Sequence, residues 1–179
     1  MGVPPMLSSL EHGRDAHATC MSKDAPNFQP GEIPADCRIA IVAARFNEEL
    51  VEELLTGCRR RLGEAGLAGD RVEVHRVPGA FELPVAAKAL AETKRFSAVI
   101  CLGCVIRGDT PHFEYVAGEA ARGISRVSLD HTLPVIFGVL TTNTEQQAWD
   151  RAGGVHGHAG ERAAEAALEM VGLLSKIRK

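Results

Sequence analysis

Residues 102–115 read Leu-Gly-Cys-Val-Ile-Arg-Gly-Asp-Thr-Pro-His-Phe-Glu-Tyr, directly after an apolar run from Ala98 to Cys101. The unbroken run through Leu102 suits a strand buried on both faces, and the stretch ends in the amphipathic period of a helix. Helix-start signals are dense at the junction: Thr110 as N-cap, Pro111 at the first helical position, and an apolar period starting at Phe113. A first helical turn exposes N–H groups and the positive end of the dipole. Gly108 lets the chain come close to a ligand, so an anion such as phosphate could be held there. His112 stands at the same place, and its side chain is the type whose ordinary pKa lies nearest neutrality, as a proton carrier requires. Thr-Pro opens many helices for structural reasons alone, so this motif decides nothing by itself.

The strand-then-helix unit recurs on either side. Ile39 to Ala43 is apolar throughout and leads through Arg45-Phe46-Asn47 to Leu50, Val51, Leu54, Leu55, Cys58 and Leu62 at helical spacing. Gly66 stops that helix, Val72 to Val77 alternates as a strand, and Pro78-Gly79-Ala80 turns into a helix carrying Leu83, Val85, Ala86 and Leu90. The opening stretch is the third unit, with Phe113, Val116, Ala117, Ala120 and Ile124 on one helix face. Val135 to Leu140 is a fourth strand. Thr144 and Gln147 form a capping box for a short helix, and a last helix runs from about Ala159 to Ile177. Such alternation predicts an α/β fold, a four-stranded parallel sheet between helix layers as a three-layer α/β/α sandwich. Ligands of such sheets bind beyond the carboxyl ends of the strands, which selects residues 45–47, 79–82 and 105–112.

Composition narrows the functional classes. With 179 residues, 45% of them hydrophobic, the chain can bury one full core. Residues 1–36, proline-rich and without apolar period, read as an extended, flexible arm, leaving 37–179 as the single domain. Met21 could serve as an alternative start. No apolar run is long enough for a membrane span and no secretory signal is visible, so a cytoplasmic location is the expectation. A net charge of −3 with scattered Lys and Arg argues against nucleic acid or an anionic membrane as partner. Cysteines 20, 37, 58, 101 and 104 are odd in number and lack framework spacing, which suits reduced thiols. Cys101 and Cys104 match C-x-x-C, but no second pair completes a zinc site, and core packing explains them better.

The three loops lack both the G-x-G-x-x-G fingerprint and a phosphate-binding P-loop, so a ligand smaller than a dinucleotide or nucleoside triphosphate is expected. Phe46 could stack on a planar heterocycle or simply plug the sheet. Glu82 could favour a helix dipole or bind sugar hydroxyls. Arg151 could neutralise helix carbonyls or pair with a phosphate monoester. His156 and His158, in a glycine-rich turn without further ligands at metal spacing, read as solvated turn residues, and no metal is expected.

Five blocks in order then carry a resemblance: Arg-Phe-Asn at 45–47, Pro-Gly-Ala-Phe-Glu at 78–82, the 102–115 stretch, Gly-Val-Leu-Thr-Thr at 138–142, and Arg-Ala-Gly at 151–153. From about Arg38 to Lys179 the chain resembles the lumazine synthase family of riboflavin biosynthesis, whose fold is flavodoxin-like. The resemblance implies condensation of 5-amino-6-(D-ribitylamino)uracil with 3,4-dihydroxy-2-butanone 4-phosphate to 6,7-dimethyl-8-ribityllumazine, phosphate and water, with no cofactor. It implies Phe46 stacked on the pyrimidine with Asn47 beside it, Ala80, Phe81 and Glu82 near the ribityl chain, and the backbone of Cys104, Val105 and Ile106 at the ring edge. Asp109, Thr110 and Arg151 would hold the phosphate and His112 would move protons. Phe137 and Arg151 would come from a neighbouring subunit of a homopentamer, which in the family often assembles into a sixty-subunit icosahedral capsid, with riboflavin synthase as a candidate partner.

One departure concerns the turn after Arg-Ala-Gly, where Val155 and Ala159 stand at positions that are lysine in many relatives. Phosphate binding would then lean more on Arg151. The alternative class is a non-catalytic flavin or pterin binding or storage protein of the same fold; the pair His112 and Arg151 favours catalysis, since heterocycle binding needs neither. A flavodoxin-like signalling domain is weaker still, for want of an acidic phosphoacceptor cluster.

Overall fold

The computed structural model describes residues 28–29 and 31–179. The elements are β1 (Ile39–Ala44), α1 (Glu48–Glu64), β2 (Val72–Val77), α2 (Leu83–Glu92), β3 (Ala98–Ile106), α3 (His112–His131), β4 (Val135–Thr142), α4 (Glu145–Trp149), β5 (Ala152–Gly154), β6 (Gly157–His158) and α5 (Ala159–Ile177). The proposed start at Met21, Cys20 and most of the expected arm lie outside the described residues. In its described part Phe28 and Ile33 pack against the core, and the Arg61 guanidinium lies 4.5 Å from the Phe28 ring centroid.

Apolar runs set the strand order. β1 and the Ala98–Leu102 part of β3 are buried on both faces and take the two central places of a sheet ordered β2-β1-β3-β4. β2, whose residues are mostly half-buried, forms one edge. All three pairings are parallel, with Ile41 beside Val74 on one side and Ile100 on the other. The core falls into two halves. Ile39, Ile41, Ile100 and Leu102 pack with α1 and α5, while Ala40, Val42, Val99 and Cys101 pack with α2 and α3. This is the three-layer α/β/α, flavodoxin-like arrangement. Among the described residues no helix is long and apolar enough to cross a membrane.

Local chemistry explains most boundaries. At the end of α1, Gly66 adopts φ 80°, while Leu67 N–H donates to Leu62 O and Gly66 N–H to Gly63 O, which closes the helix and tucks Leu67 into the core. Thr144 Oγ1 accepts from Gln147 N–H, and Gln147 Oε1 accepts from Asn143 N–H, so the capping pair is present with its second bond shifted by one residue. Three expectations need correction. β3 extends to Ile106 because its last residues pair with Leu140, Thr141 and Thr142 of β4. α3 starts at His112, since Pro111 (φ −69°, ψ 5°) is the cap residue and Thr110 makes no side-chain cap. On α2 the buried positions are Leu83, Ala87 and Ala91, four residues apart, so Val85 lies on the far side, 67% exposed.

Candidate active site

The chain order of the sheet reverses between β1 and β3, where open parallel sheets take ligands. A cavity of about 390 Å³ opens there, within the range of small-molecule sites. β1 ends by delivering Phe46, whose backbone N–H donates to Pro78 O at 3.0 Å and whose ring is 69% exposed. Asn47 follows in the left-handed region, φ 57° and ψ 49°. Its side chain leaves helix α1 uncapped and instead donates from Nδ2 to Cys104 O at 2.9 Å, tying the first loop to β3 across the reversal point.

The second loop is held by its own acid. Gly79 N–H donates to Glu82 Oε2 at 2.9 Å, which shapes a single turn of 3-10 helix over Ala80–Glu82 and brings Glu82 to the cavity wall. Phe81, 55% exposed, stands beside it. From the third side come Cys104, Val105 and Ile106 at the end of β3, then Gly108, Thr110 and His112. No side chain caps the start of α3 beside His112; in its first turn Glu114 N–H donates to Pro111 O at 3.1 Å. The lining is an apolar floor with a few polar groups, the composition that suits a planar heterocycle with a polar tail.

Nine of the expected site residues thus line one cavity: Phe46, Ala80, Phe81, Glu82, Cys104, Val105, Ile106, Thr110 and His112. Four do not. Asn47 acts behind the wall through Cys104. Asp109 is exposed in the loop. Phe137 lines a separate groove between β4 and α5, and Arg151 donates from Nη1 to Gln147 O at the end of α4. Phe113 and Val116 also line the cavity; both were legible as apolar helix positions, and the spacing of four that puts Val116 on the His112 side was its signal. Cys101 and Cys104 belong to opposite halves of the core, so the C-x-x-C thiols do not converge. Burial pushes them up to about 12 and about 11.

A sequence model of the 6,7-dimethyl-8-ribityllumazine synthase family matches residues 36–175. The chain belongs to that family. A protein of Syntrophus aciditrophicus (strain SB) named 6,7-dimethyl-8-ribityllumazine synthase is 52% identical over 140 residues, which cover 78% of this chain and 91% of that relative. The loops gathered at the cavity, residues 45–47, 79–82 and 104–112, all fall inside the family match.

Within this family member the hairpin of β5 and β6 holds a surprise. The His158 side chain is only 8% exposed and not a solvated turn residue. Its ring fills the notch that Gly57 leaves in α1, where an added Cβ would lie 2.1 Å from a ring carbon. Neither ring nitrogen has a hydrogen-bond partner, and Glu53 Oε1 is 3.7 Å from Nε2. Burial pulls the imidazole below its ordinary value; Glu53 opposes this, and the charges of Arg60 and Arg162 add to it. With a lowered folded value, the contribution of His158 to stability is present above about pH 6.5 and lost as pH falls through the lowered value. The unfolding temperature is therefore expected to drop more between about pH 7 and pH 5 for the wild type than for His158→Asn. Parallel curves in a pH series of thermal melts would contradict this.

Proposed function

We propose that this chain condenses 5-amino-6-(D-ribitylamino)uracil with 3,4-dihydroxy-2-butanone 4-phosphate to give 6,7-dimethyl-8-ribityllumazine, phosphate and water, the penultimate step of riboflavin biosynthesis. The observation that carries the proposal is the cavity at the reversal point, which joins an exposed aromatic, Phe46, to an uncapped helix start and His112. The attacking amine belongs to the substrate, so the protein needs no nucleophile. What it supplies is proximity and proton transfer. Phe46 stacks on the pyrimidine, Asn47 keeps the Phe46 loop against β3, and Ala80, Phe81 and Glu82 take the ribityl chain. The backbone of Cys104, Val105 and Ile106 reads the ring edge. Asp109 and Thr110 offer N–H groups to the phosphate, and His112 carries protons during imine formation and phosphate loss.

Residues 37–179 act as one catalytic domain, in the cytoplasm, and as part of a homopentamer that can build an icosahedral shell and can house riboflavin synthase. Two features support the assembly. Large apolar side chains stand exposed on α2, α3 and β4, among them Val85, Leu129 and Phe137. Phe137 and Arg151 also lie off their own chain's cavity, as residues donated to a neighbour would.

Arg151→Ala is then expected to raise KM for the butanone phosphate about 20-fold, the loss of one charge-assisted contact, while KM for the pyrimidine stays put. With butanone phosphate held well below the wild-type KM, mixed assemblies of Arg151→Ala and His112→Ala subunits should be more active than either variant alone, because some sites receive both intact residues. Kinetics of the refolded mixture check this, and a mixture no better than its components would place Arg151 outside a shared site.

A further inference from the structure

Arg107 ties together three pieces of backbone around the His112 side of the cavity. It follows the last residue of β3, and its N–H still donates to Thr142 O at 2.9 Å, so the main chain is anchored to β4 up to this point. Residues 108–111 then leave the sheet as an exposed link, and no side chain caps the helix that follows. Arg107 Nε donates to Asn143 Oδ1 at 2.9 Å, in the loop after β4. Its Nη1 donates to Glu114 Oε1 at 2.6 Å, in the first turn of α3. The guanidinium carbon lies 4.2 Å from the centroid of the Phe113 ring, the cavity-lining neighbour of His112. Asn143 is steadied in turn, because its N–H donates to Gln147 Oε1 at 2.9 Å.

We infer that Arg107 is a positioning residue, a clamp that sets the first turn of α3, and with it His112 and the neighbouring N–H groups, relative to the cavity. The inference rests on the proposed reaction at that cavity. The Arg107 and Glu114 side chains are 42% and 54% exposed, and ion pairs of that exposure add little to folding. Their geometry does more: two edges of a planar fork are hydrogen-bonded and its face is stacked, a combination an ammonium cannot reproduce. Misplacing catalytic groups by about 1 Å costs up to ~10²-fold in rate. Arg107 does not line the cavity and touches no reacting atom; it acts through Phe113, Glu114 and Asn143.

Steady-state kinetics and thermal melts of the full-length protein carrying Arg107→Met, Arg107→Lys or Asn143→Ala test the clamp. Arg107→Met is expected to lower kcat about tenfold and to raise KM for the butanone phosphate, with KM for the pyrimidine, which stacks at Phe46, unchanged. Arg107→Lys should recover less than half of the loss. Asn143→Ala should show a smaller loss in the same two parameters, and the double variant with Arg107→Met should be no worse than Arg107→Met alone. Wild-type kinetics in Arg107→Met, full rescue by Lys, or a fall in unfolding temperature that accounts for the lost activity would each overturn the inference. A wild type that forms no lumazine would instead sink the proposed reaction and the clamp with it.

Discussion

His112→Ala is expected to form the lumazine ~10²-fold more slowly than the wild type, with assembly and unfolding temperature unchanged. Imine formation and phosphate loss both require protons to arrive and leave at defined atoms, and a positioned acid or base typically contributes 10²- to 10⁴-fold to such steps, about the lower end of which is expected at an open site. His112 is the first residue of α3 and lines the cavity, next to the link whose Asp109 and Thr110 N–H groups are proposed to hold the phosphate. It is exposed, so its removal leaves the core untouched. Single-turnover rates measured across the pH range decide the point: a variant that keeps wild-type rates throughout would remove His112 from the chemistry.

Gly160→Ala should cost about 3 kcal/mol of stability, roughly 10 °C in unfolding temperature for a chain of this size. Gly160 sits in the first turn of α5 where that helix crosses α1, and an added Cβ would lie 2.0 Å from Leu54 O and 2.8 Å from Leu54 C. Backbone cannot step aside as a side-chain tip can. One helix must therefore shift, and Ala163, Ala164 and Leu168 would lose their fit against the core. Thermal or urea unfolding of the variant checks this, and a melt within about 2 °C of the wild type would show that the crossing has slack.

Much of this architecture was readable in advance because the strongest local signals point the same way as the tertiary structure. The apolar runs of β1 and β3 are central strands, and the last helix keeps its expected bounds, Ala159–Ile177. The errors fall where long-range contacts decide. β3 continues to Ile106 because β4 offers a partner, which no local pattern reveals. His158 looks like a turn residue until Gly57 supplies a notch for it from a helix a hundred residues earlier. Val85 reads as core because it is apolar, yet it stands exposed on α2, whose buried positions are Leu83, Ala87 and Ala91.

The site was legible in the same uneven way. Loop identity followed from the β-α repeat, so eight of the nine expected residues at the cavity fall in the loops chosen from strand ends, and Cys104 was added through the resemblance. Arg107 was passed over as one residue of a motif, since its role depends on Asn143 from a loop 36 positions later and on a ring two helix positions beyond the junction. Phe137 was assigned to the site through resemblance and Arg151 also as a guanidinium suited to a phosphate; within one chain both stand apart from the cavity.

The central claim is that this cavity makes a lumazine. The direct measurement is to mix the purified protein with 5-amino-6-(D-ribitylamino)uracil and 3,4-dihydroxy-2-butanone 4-phosphate and to follow lumazine fluorescence together with released phosphate. The account predicts that both appear in equal amounts, at a rate proportional to protein and lowered ~10²-fold by His112→Ala. Tight flavin binding at the same cavity, with no lumazine formed above the uncatalysed rate, would contradict it.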